Sequence, residues 1–116
     1  MSYQRSGFKL HRERGQRRAL VRNLSASLIR KGKIKTTVPK AKAIKPFVER
    51  LVTHAKKNTL ASRRILISRT GEEVLAKKLI TVLGPKYEKR AGGYLRITKL
   101  GRRLSDGAEM AQIEFV

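Results

Sequence analysis

Apolar residues recur at helical spacing early in the chain. Within residues 16–31, Leu20, Leu24 and Leu28 return every four positions, which places them on one face of a helix. Gly32 follows, and glycine readily takes the left-handed conformation that closes helices. The arginines of this segment occupy other positions around the helix. The pattern therefore predicts a first helix with a leucine face, a basic face and an end at Gly32.

A strand and a second helix are predicted next. In Lys33–Val38, apolar or β-branched residues alternate with polar residues, which indicates a short strand. Pro39 ends that strand and suits the first position of a helix, which we expect to reach about Lys57. The apolar positions of this helix are Ala41, Ile44, Phe47, Val48, Leu51, Val52 and Ala55. Pro46 removes one internal hydrogen bond and predicts a kink or a split.

Two more helices follow in the prediction. Asn58 or Thr59 can cap a helix over residues 60–69. Thr70 and Glu73 have the spacing of a capping box and predict the start of a fourth helix. Apolar residues recur at helical spacing in this fourth helix: Val74, Leu75, Leu79, Val82 and Leu83.

The end of the chain has a different period. Gly84-Pro85 predicts the end of the fourth helix, and residues 94–100 and 110–115 then read as two strands of a hairpin. The order helix, strand, three helices, hairpin predicts one compact α+β domain over residues 16–116, with a small three-stranded sheet. Residues 1–15 have too few apolar positions to pack by themselves and predict a basic N-terminal arm.

The charge of the chain indicates what kind of partner it binds. The 116 residues include 29 Lys and Arg against 8 Asp and Glu, for a formal net charge of +21. Residues 1–45 hold 14 basic side chains and one acid, whereas residues 91–116 hold four and three. So much charge of one sign favours a polyanion as the partner, bound mainly to the N-terminal half. Because 40% of the residues are hydrophobic, the chain is not a disordered cationic tail.

Several classes of function find little support in the sequence. The chain has no cysteine, which excludes disulfides and thiol nucleophiles, and its two histidines are too far apart for a metal motif. No apolar run has the length of a membrane span, and the N-terminus has no secretory pattern. We therefore expect a cytoplasmic protein that is not an enzyme, with no catalytic residue, metal, cofactor, membrane or small-molecule substrate.

Nucleic-acid binding is the function that the charge pattern favours. Arginines spaced along an arm and a helix can follow a phosphate backbone and grip phosphates in bidentate fashion. The alternative is a solvated helix face, but such a face normally alternates signs, and Glu13 is the one acid in residues 1–45. The predicted nucleic-acid-binding residues are Arg5, Lys9, Arg12, Arg14, Arg17, Arg18, Arg22, Lys31, Lys33, Lys35, Lys40, Lys42, Arg90, Gly92, Gly93, Tyr94 and Arg96.

The stretch "KYEKRAGGYLRITK" places a double glycine between a basic loop and a predicted strand. Glycine permits positive φ and lets another backbone come close, so this loop could press onto a phosphate ribbon with Tyr94 stacked on a base. Alternatively, Gly92-Gly93 is a tight turn required by the fold, and Tyr94 lies in the core. The sequence leaves both interpretations open.

Three blocks carry a family resemblance: "RSGFKLHRERGQRRALVRNLSASLIRKGKIKTTVPKAKAIKPFVERLVTHAKK", "GPKYEKRAGGYLRITKLGRR" and "DGAEMAQIEF". The chain resembles the bacterial large-subunit ribosomal protein family L-seventeen, most specifically in "IKTTVPKAKAIKPFVE" and "RAGGYLRI". The opening "MSYQRSG" and the stretch "RERGQRR" depart from the common pattern of the family.

The resemblance implies a structural constituent of the large ribosomal subunit that binds ribosomal RNA near the polypeptide exit side. It also implies neighbouring ribosomal proteins as partners and no enzymatic activity. Residues 5–35 and 90–94 would then face the RNA. The expected location is the ribosome, in the cytoplasm of a bacterium or in an organelle of bacterial descent.

Two alternatives come from the residues without the resemblance. A DNA-compacting nucleoid protein would have the same composition, although the sequence has no helix-turn-helix, zinc or RNP signature. A small RNA-processing enzyme is a second alternative, and the lack of an acid–base or metal cluster weighs against it. Co-sedimentation with the large subunit or with DNA distinguishes a ribosomal protein from a nucleoid protein. Turnover of RNA by the purified protein tests the enzyme.

Overall fold

A computed structural model describes residues 14–116 of the chain. The first 13 residues of the predicted arm, with the RNA-binding predictions for Arg5, Lys9 and Arg12, lie outside the described part. The described elements, in chain order, are α1 (Arg14–Lys31), β1 (Lys33–Thr37), α2 (Val38–Lys57), α3 (Leu60–Thr70), α4 (Glu73–Lys78), a π-helical turn (Leu79–Leu83), α5 (Gly84–Lys86), β2 (Leu95–Arg102) and β3 (Glu109–Phe115).

The predicted α+β architecture is confirmed. The three strands form an antiparallel sheet in the order β1-β3-β2, so the hairpin β2–β3 pairs with the early strand through β3. Ile34 and Ile97 are the partners of Ile113 on its two sides. The side chain of Ile113 is buried in a cluster that includes residues of α1 and α2, so the helices cover this face of the sheet.

Helix α1 begins two residues before the predicted position and ends where the sequence predicts. Gly32 has φ 84°, and its N–H donates to the carbonyl of Leu28 at 2.7 Å, which closes the helix. Of the predicted leucine face, Leu28 is fully buried, whereas Leu20 and Leu24 are half-buried. The face of α1 therefore enters the core deeply at its C-terminal half.

Helix α2 lies at the centre of the molecule and contacts both ends of the core. Six of its seven predicted apolar positions are buried, and Phe47 is half-buried against both buried clusters. Of the predicted kink or split at Pro46, the split is wrong, because the helix runs unbroken from Val38 to Lys57. Pro46 lies on the exposed side, where water can satisfy the carbonyl that loses its helical partner.

Helix α3 has the predicted cap, but the predicted capping box after it is wrong. The hydroxyl oxygen of Thr59 accepts a hydrogen bond from the N–H of Ser62 at 3.1 Å. Thr70 is the last residue of α3 rather than the cap of α4, and its hydroxyl donates to the carbonyl of Leu66 at 2.7 Å. Glu72 occupies the N-cap position of α4 instead.

The helical segment after Glu72 differs most from the prediction. Val74 is 76% exposed and Val82 is 52% exposed, so two of the five apolar positions at helical spacing lie outside the core. The large buried side chains recur every four residues: Leu75, Leu79, Leu83 and Tyr87. A helix with 3.6 residues per turn would rotate such a row away from the core, and the π-helical turn at Leu79–Leu83 keeps it in line.

Gly84-Pro85 does not end this helical segment, which continues to Lys86. A Cβ at position 84 would lie 3.1 Å from the carbonyl oxygen of Ala55, so glycine lets α5 pack closely against the end of α2. Pro85 occupies the first turn of α5, where a missing N–H is tolerated. The pair thus serves helix packing, whereas the sequence pattern suggests a stop.

Candidate nucleic-acid interface

Positive charge is concentrated on the three-helix side formed by α1, α2 and α3. Helix α1 carries six Lys or Arg and no acid, and α3 carries three Arg and no acid. Helix α2 carries six Lys or Arg with one acid, Glu49. A helix surface with so few acids cannot neutralise itself through pairs along the helix. This side of the protein therefore has a strong positive potential.

The hairpin neutralises most of its own charge. Each of its three acids forms an ion pair with an arginine: Arg96–Glu114 at 3.3 Å, Arg102–Glu109 at 3.2 Å and Arg103–Asp106 at 2.6 Å. The Arg103 guanidinium and the N–H of Ala108 together hold the pKa of Asp106 down at about 2. Arg96, a predicted RNA-binding residue, is thus paired with a carboxylate within the sheet.

A cleft of about 700 Å³ opens where the three basic helices meet. We call it the arginine cleft; its lining residues are Arg17, Arg18, Val21, Arg22, Phe47, Arg50, Ser68 and Arg69. Five of the eight are arginines, and two are apolar. Four of these arginines form no ion pair with a carboxylate among residues 14–116: Arg18, Arg22, Arg50 and Arg69.

The imidazole of His54 lies close enough to the cleft residue Arg69 to be affected by its charge. Burial, followed by the charges of Arg69 and Lys57, lowers the pKa of His54 below its ordinary value of 6.5. The two smaller contributions place the cations of Arg69 and Lys57 near this imidazole.

The fold brings together part of the predicted site. Arg17, Arg18 and Arg22 lie in the arginine cleft. Lys33 and Lys35 are on the exposed face of the sheet, opposite the face that the helices cover. The other predicted residues of the first half remain at the surface outside the cleft lining: Arg14, Lys31 and Lys42 are exposed, and Lys40 is half-buried. The structure thus separates a helical patch from a sheet patch.

Arg50 and Arg69 are members of the cleft that sequence reasoning missed. Arg50 belongs to a helix that the sequence marks by its apolar stripe, and Arg69 lies in the last turn of α3, more than forty residues after the basic N-terminal run. Neither arginine is part of that run. One available signal was that Arg50 lies three residues after Phe47, which places the two on the same side of a helix.

The double-glycine loop is held by a lysine from α2. The ammonium group of Lys56 donates to the carbonyl oxygen of Arg90 and, at 2.9 Å, to the hydroxyl oxygen of Tyr94. The Tyr94 hydroxyl also donates to the carbonyl oxygen of Arg90, at 3.2 Å. The bond from Lys56 lowers the pKa of the Tyr94 phenol, ahead of the opposing effect of burial. These bonds fix the loop against α2.

The prediction that Tyr94 stacks on a base is wrong. Its side chain is 2% exposed, and its ring lies 5.1 Å from the ring of Tyr87 in the core. The alternative interpretation of Tyr94 as a core residue is the one that the structure supports. Arg90, Gly92 and Gly93 remain exposed at the surface of the same loop.

Gly93 provides a test of what the double glycine does. It has φ 64°, and a Cβ added there would have no atom within 4 Å, so the requirement concerns backbone conformation and not space within the fold. We expect Gly93→Val to lower the free energy of unfolding by about 1–2 kcal/mol. Gly93→Asn should cost much less, because asparagine tolerates the left-handed region. Denaturant titration measures both, and equal losses for Val and Asn would contradict this explanation.

Among residues 14–116, no group of three or more His, Asp or Glu side chains could hold a metal ion. None of the helices in that range has the length and apolar character needed to cross a membrane. The described residues form the arginine cleft and a hairpin in which each acid is paired with an arginine. The fold and this site define a small, strongly basic α+β protein with its positive charge on the helical side.

Comparison with known sequences identifies the family. Residues 20–116 match the profile described as Ribosomal protein L17, and the chain belongs to that family. Two similar relatives carry the name "Large ribosomal subunit protein bL17". The protein from Orientia tsutsugamushi (strain Boryong) is 50% identical over 116 residues, covering 100% of this chain and 80% of the relative. The protein from Sulfurihydrogenibium sp. (strain YO3AOP1) is 52% identical over 107 residues, covering 91% and 88%.

Proposed function

We propose that this protein is a structural constituent of the large ribosomal subunit and that it binds ribosomal RNA through the helical side. The observation that carries the proposal is the arginine cleft on a member of a ribosomal protein family. Four guanidinium groups without a described carboxylate partner surround one opening, so a polyanion would relieve their repulsion. The work of the protein is then binding, with no chemical step.

Binding of this kind gains its free energy chiefly from phosphate contacts. Each cation that neutralises a phosphate releases counterions, and the affinity then falls steeply as salt rises. Guanidinium groups also fix the geometry, because their N–H groups can grip a phosphate in bidentate fashion. Such contacts position RNA segments without reading their sequence, which suits a protein that stabilises folded RNA.

The finer placement rests on the family resemblance. We propose that the site lies near the polypeptide exit side of the large subunit and that neighbouring ribosomal proteins contact the chain. The exposed residues of the double-glycine loop would form a second RNA contact, since Arg90 is exposed and the loop is already fixed by Lys56. No observation on the described residues favours DNA compaction or RNA processing over this function.

Co-sedimentation tests the proposed function. We expect a tagged copy of the full chain, expressed in bacterial cells, to travel in a sucrose gradient with the large subunit and to be released from it by high salt. A nuclease that degrades only DNA should leave this distribution unchanged. Sedimentation with nucleoid DNA, or at the top of the gradient as free protein, would contradict the proposal.

A further inference from the structure

We propose that the arginine cleft holds a single unpaired nucleotide of the bound RNA, with its base against Phe47 and its phosphates on the surrounding guanidinium groups. This inference rests on the proposed function and adds a specific ligand to it. A double-helical RNA could touch the rim of the cleft with its phosphates. The residues that line the cleft favour a smaller ligand, one that enters the cleft.

The size of the cleft fits a nucleotide. Its volume of about 700 Å³ lies within the range of pockets that bury small organic ligands, which is roughly 300–1,000 Å³. Three helices contribute to its walls, so the opening is built by the core packing of α1, α2 and α3 and does not depend on a loop. A preformed opening avoids much of the ordering cost of binding.

The side chains that line the cleft distinguish a site for a base from a site for a phosphate alone. Val21 and Phe47 provide apolar surface, and the half-buried ring of Phe47 is an aromatic platform of the kind on which unpaired bases stack. Both side chains also pack against the core, so the part of Phe47 that lines the cleft is the surface that a base would use. Ser68 adds a hydroxyl that can donate to or accept from a base edge or a ribose hydroxyl.

The arginines provide the second half of the site. Arg18, Arg22, Arg50 and Arg69 come from all three helices, so they approach a bound nucleotide from several sides. Their planar guanidinium groups can pair with phosphate oxygens or lie over the other face of a base. An acidic peptide would satisfy the charges but would not use the aromatic surface, which is why the structure favours RNA.

The first arm of the test uses two matched arginines of α3. Arg69 lines the cleft, whereas Arg64 is exposed on the same helix outside the lining. The probe is a single-stranded oligouridine RNA of about ten nucleotides with one central 2-aminopurine, bound to the full chain near 150 mM salt. We expect Arg69→Ala to weaken binding by about fourfold or more and Arg64→Ala by less than about twofold. Equal losses would overturn the proposal, because the cleft would then act only as general charge.

The second arm tests stacking with Phe47→Leu, which keeps an apolar side chain because Phe47 also contacts the core. We expect about a fivefold to tenfold loss of affinity for the single strand, with loss of 2-aminopurine quenching. Affinity for an RNA duplex of matched length should fall much less, because a paired base is not free to stack on Phe47. A thermal melt checks that the variant is folded, and if it is not, Phe47→Tyr, which keeps the ring, should retain both single-strand affinity and quenching. Unchanged quenching in folded Phe47→Leu, or its loss in folded Phe47→Tyr, overturns the proposal.

Two outcomes distinguish this inference from the proposed function. If polyglutamate competes as well as RNA and shows the same dependence on Arg69, the cleft recognises charge only and the nucleotide site is wrong. If the wild-type chain binds ribosomal RNA while the cleft variants behave like their controls, the proposed function stands without the nucleotide site. If the wild-type chain binds no RNA at all, both fail together.

Discussion

Replacing Arg18, Arg22 and Arg69 together with glutamine is expected to weaken binding to large-subunit ribosomal RNA by about 100-fold near 150 mM salt. All three line the arginine cleft and have no described carboxylate partner. Each lost phosphate contact should also reduce the slope of log K against log salt by about 0.7–0.9. The slope should therefore fall by about 2–3, and the melting temperature should stay the same or rise, because repulsion within a chain of +21 is relieved.

The control removes the same charge from the hairpin. Arg96, Arg102 and Arg103 are already paired with carboxylates, so a phosphate would have to displace a partner from each of them. We expect their triple substitution with glutamine to change the affinity far less than the cleft triple does. Equal effects of the two triples would show that net charge, and not its arrangement on the helical side, determines binding.

Leu28→Ala is expected to produce the largest loss of stability among changes to α1. Leu28 is 0% exposed and packs in the cluster that contains Ile44 and Ile113, where truncation leaves a cavity. Such a change typically costs about 2–5 kcal/mol, out of a total stability of about 5–15 kcal/mol. The melting temperature should fall by about 10 °C or more.

Leu20→Ala is the matched control for this substitution. Leu20 is half-buried on the same helix and belongs to neither buried cluster, so the same chemical change should cost much less. A thermal melt and a denaturant titration on both variants separate the two cases. Similar losses at the two positions would mean that the leucine face of α1 is buried evenly, against the packing described above.

The main elements were predictable because their periods are strong. The leucine spacing in α1, the two-residue alternation in β1 and the apolar stripe of α2 each fit one type of element. The helical segment over residues 73–86 was harder, because the π-helical turn at Leu79–Leu83 changes its period. Val74 and Val82 share the helical spacing of the buried leucines, although both are exposed. No residue type marks such a turn in advance.

The site was predictable in its charge but not in its arrangement. The basic run of the first half pointed to α1, and three of its arginines do line the cleft. Arg50 and Arg69 join them only through tertiary packing, which brings residues from three helices to one opening. The role of Tyr94 could not be decided from the sequence for a similar reason. An aromatic residue after a basic loop can stack on a base or lie in the core, and the hydrogen bond from Lys56 forms only through tertiary packing.

Ultraviolet cross-linking within intact large subunits shows which side of the protein contacts the RNA. In subunits that carry the full chain, peptides linked to RNA are identified by mass spectrometry. We expect cross-links in α1, near Phe47 and Arg50 of α2, and near Arg69 of α3, with few in the hairpin tip at residues 102–109. Cross-links concentrated in the hairpin tip, with none in the three basic helices, would contradict the assignment of the helical side to RNA.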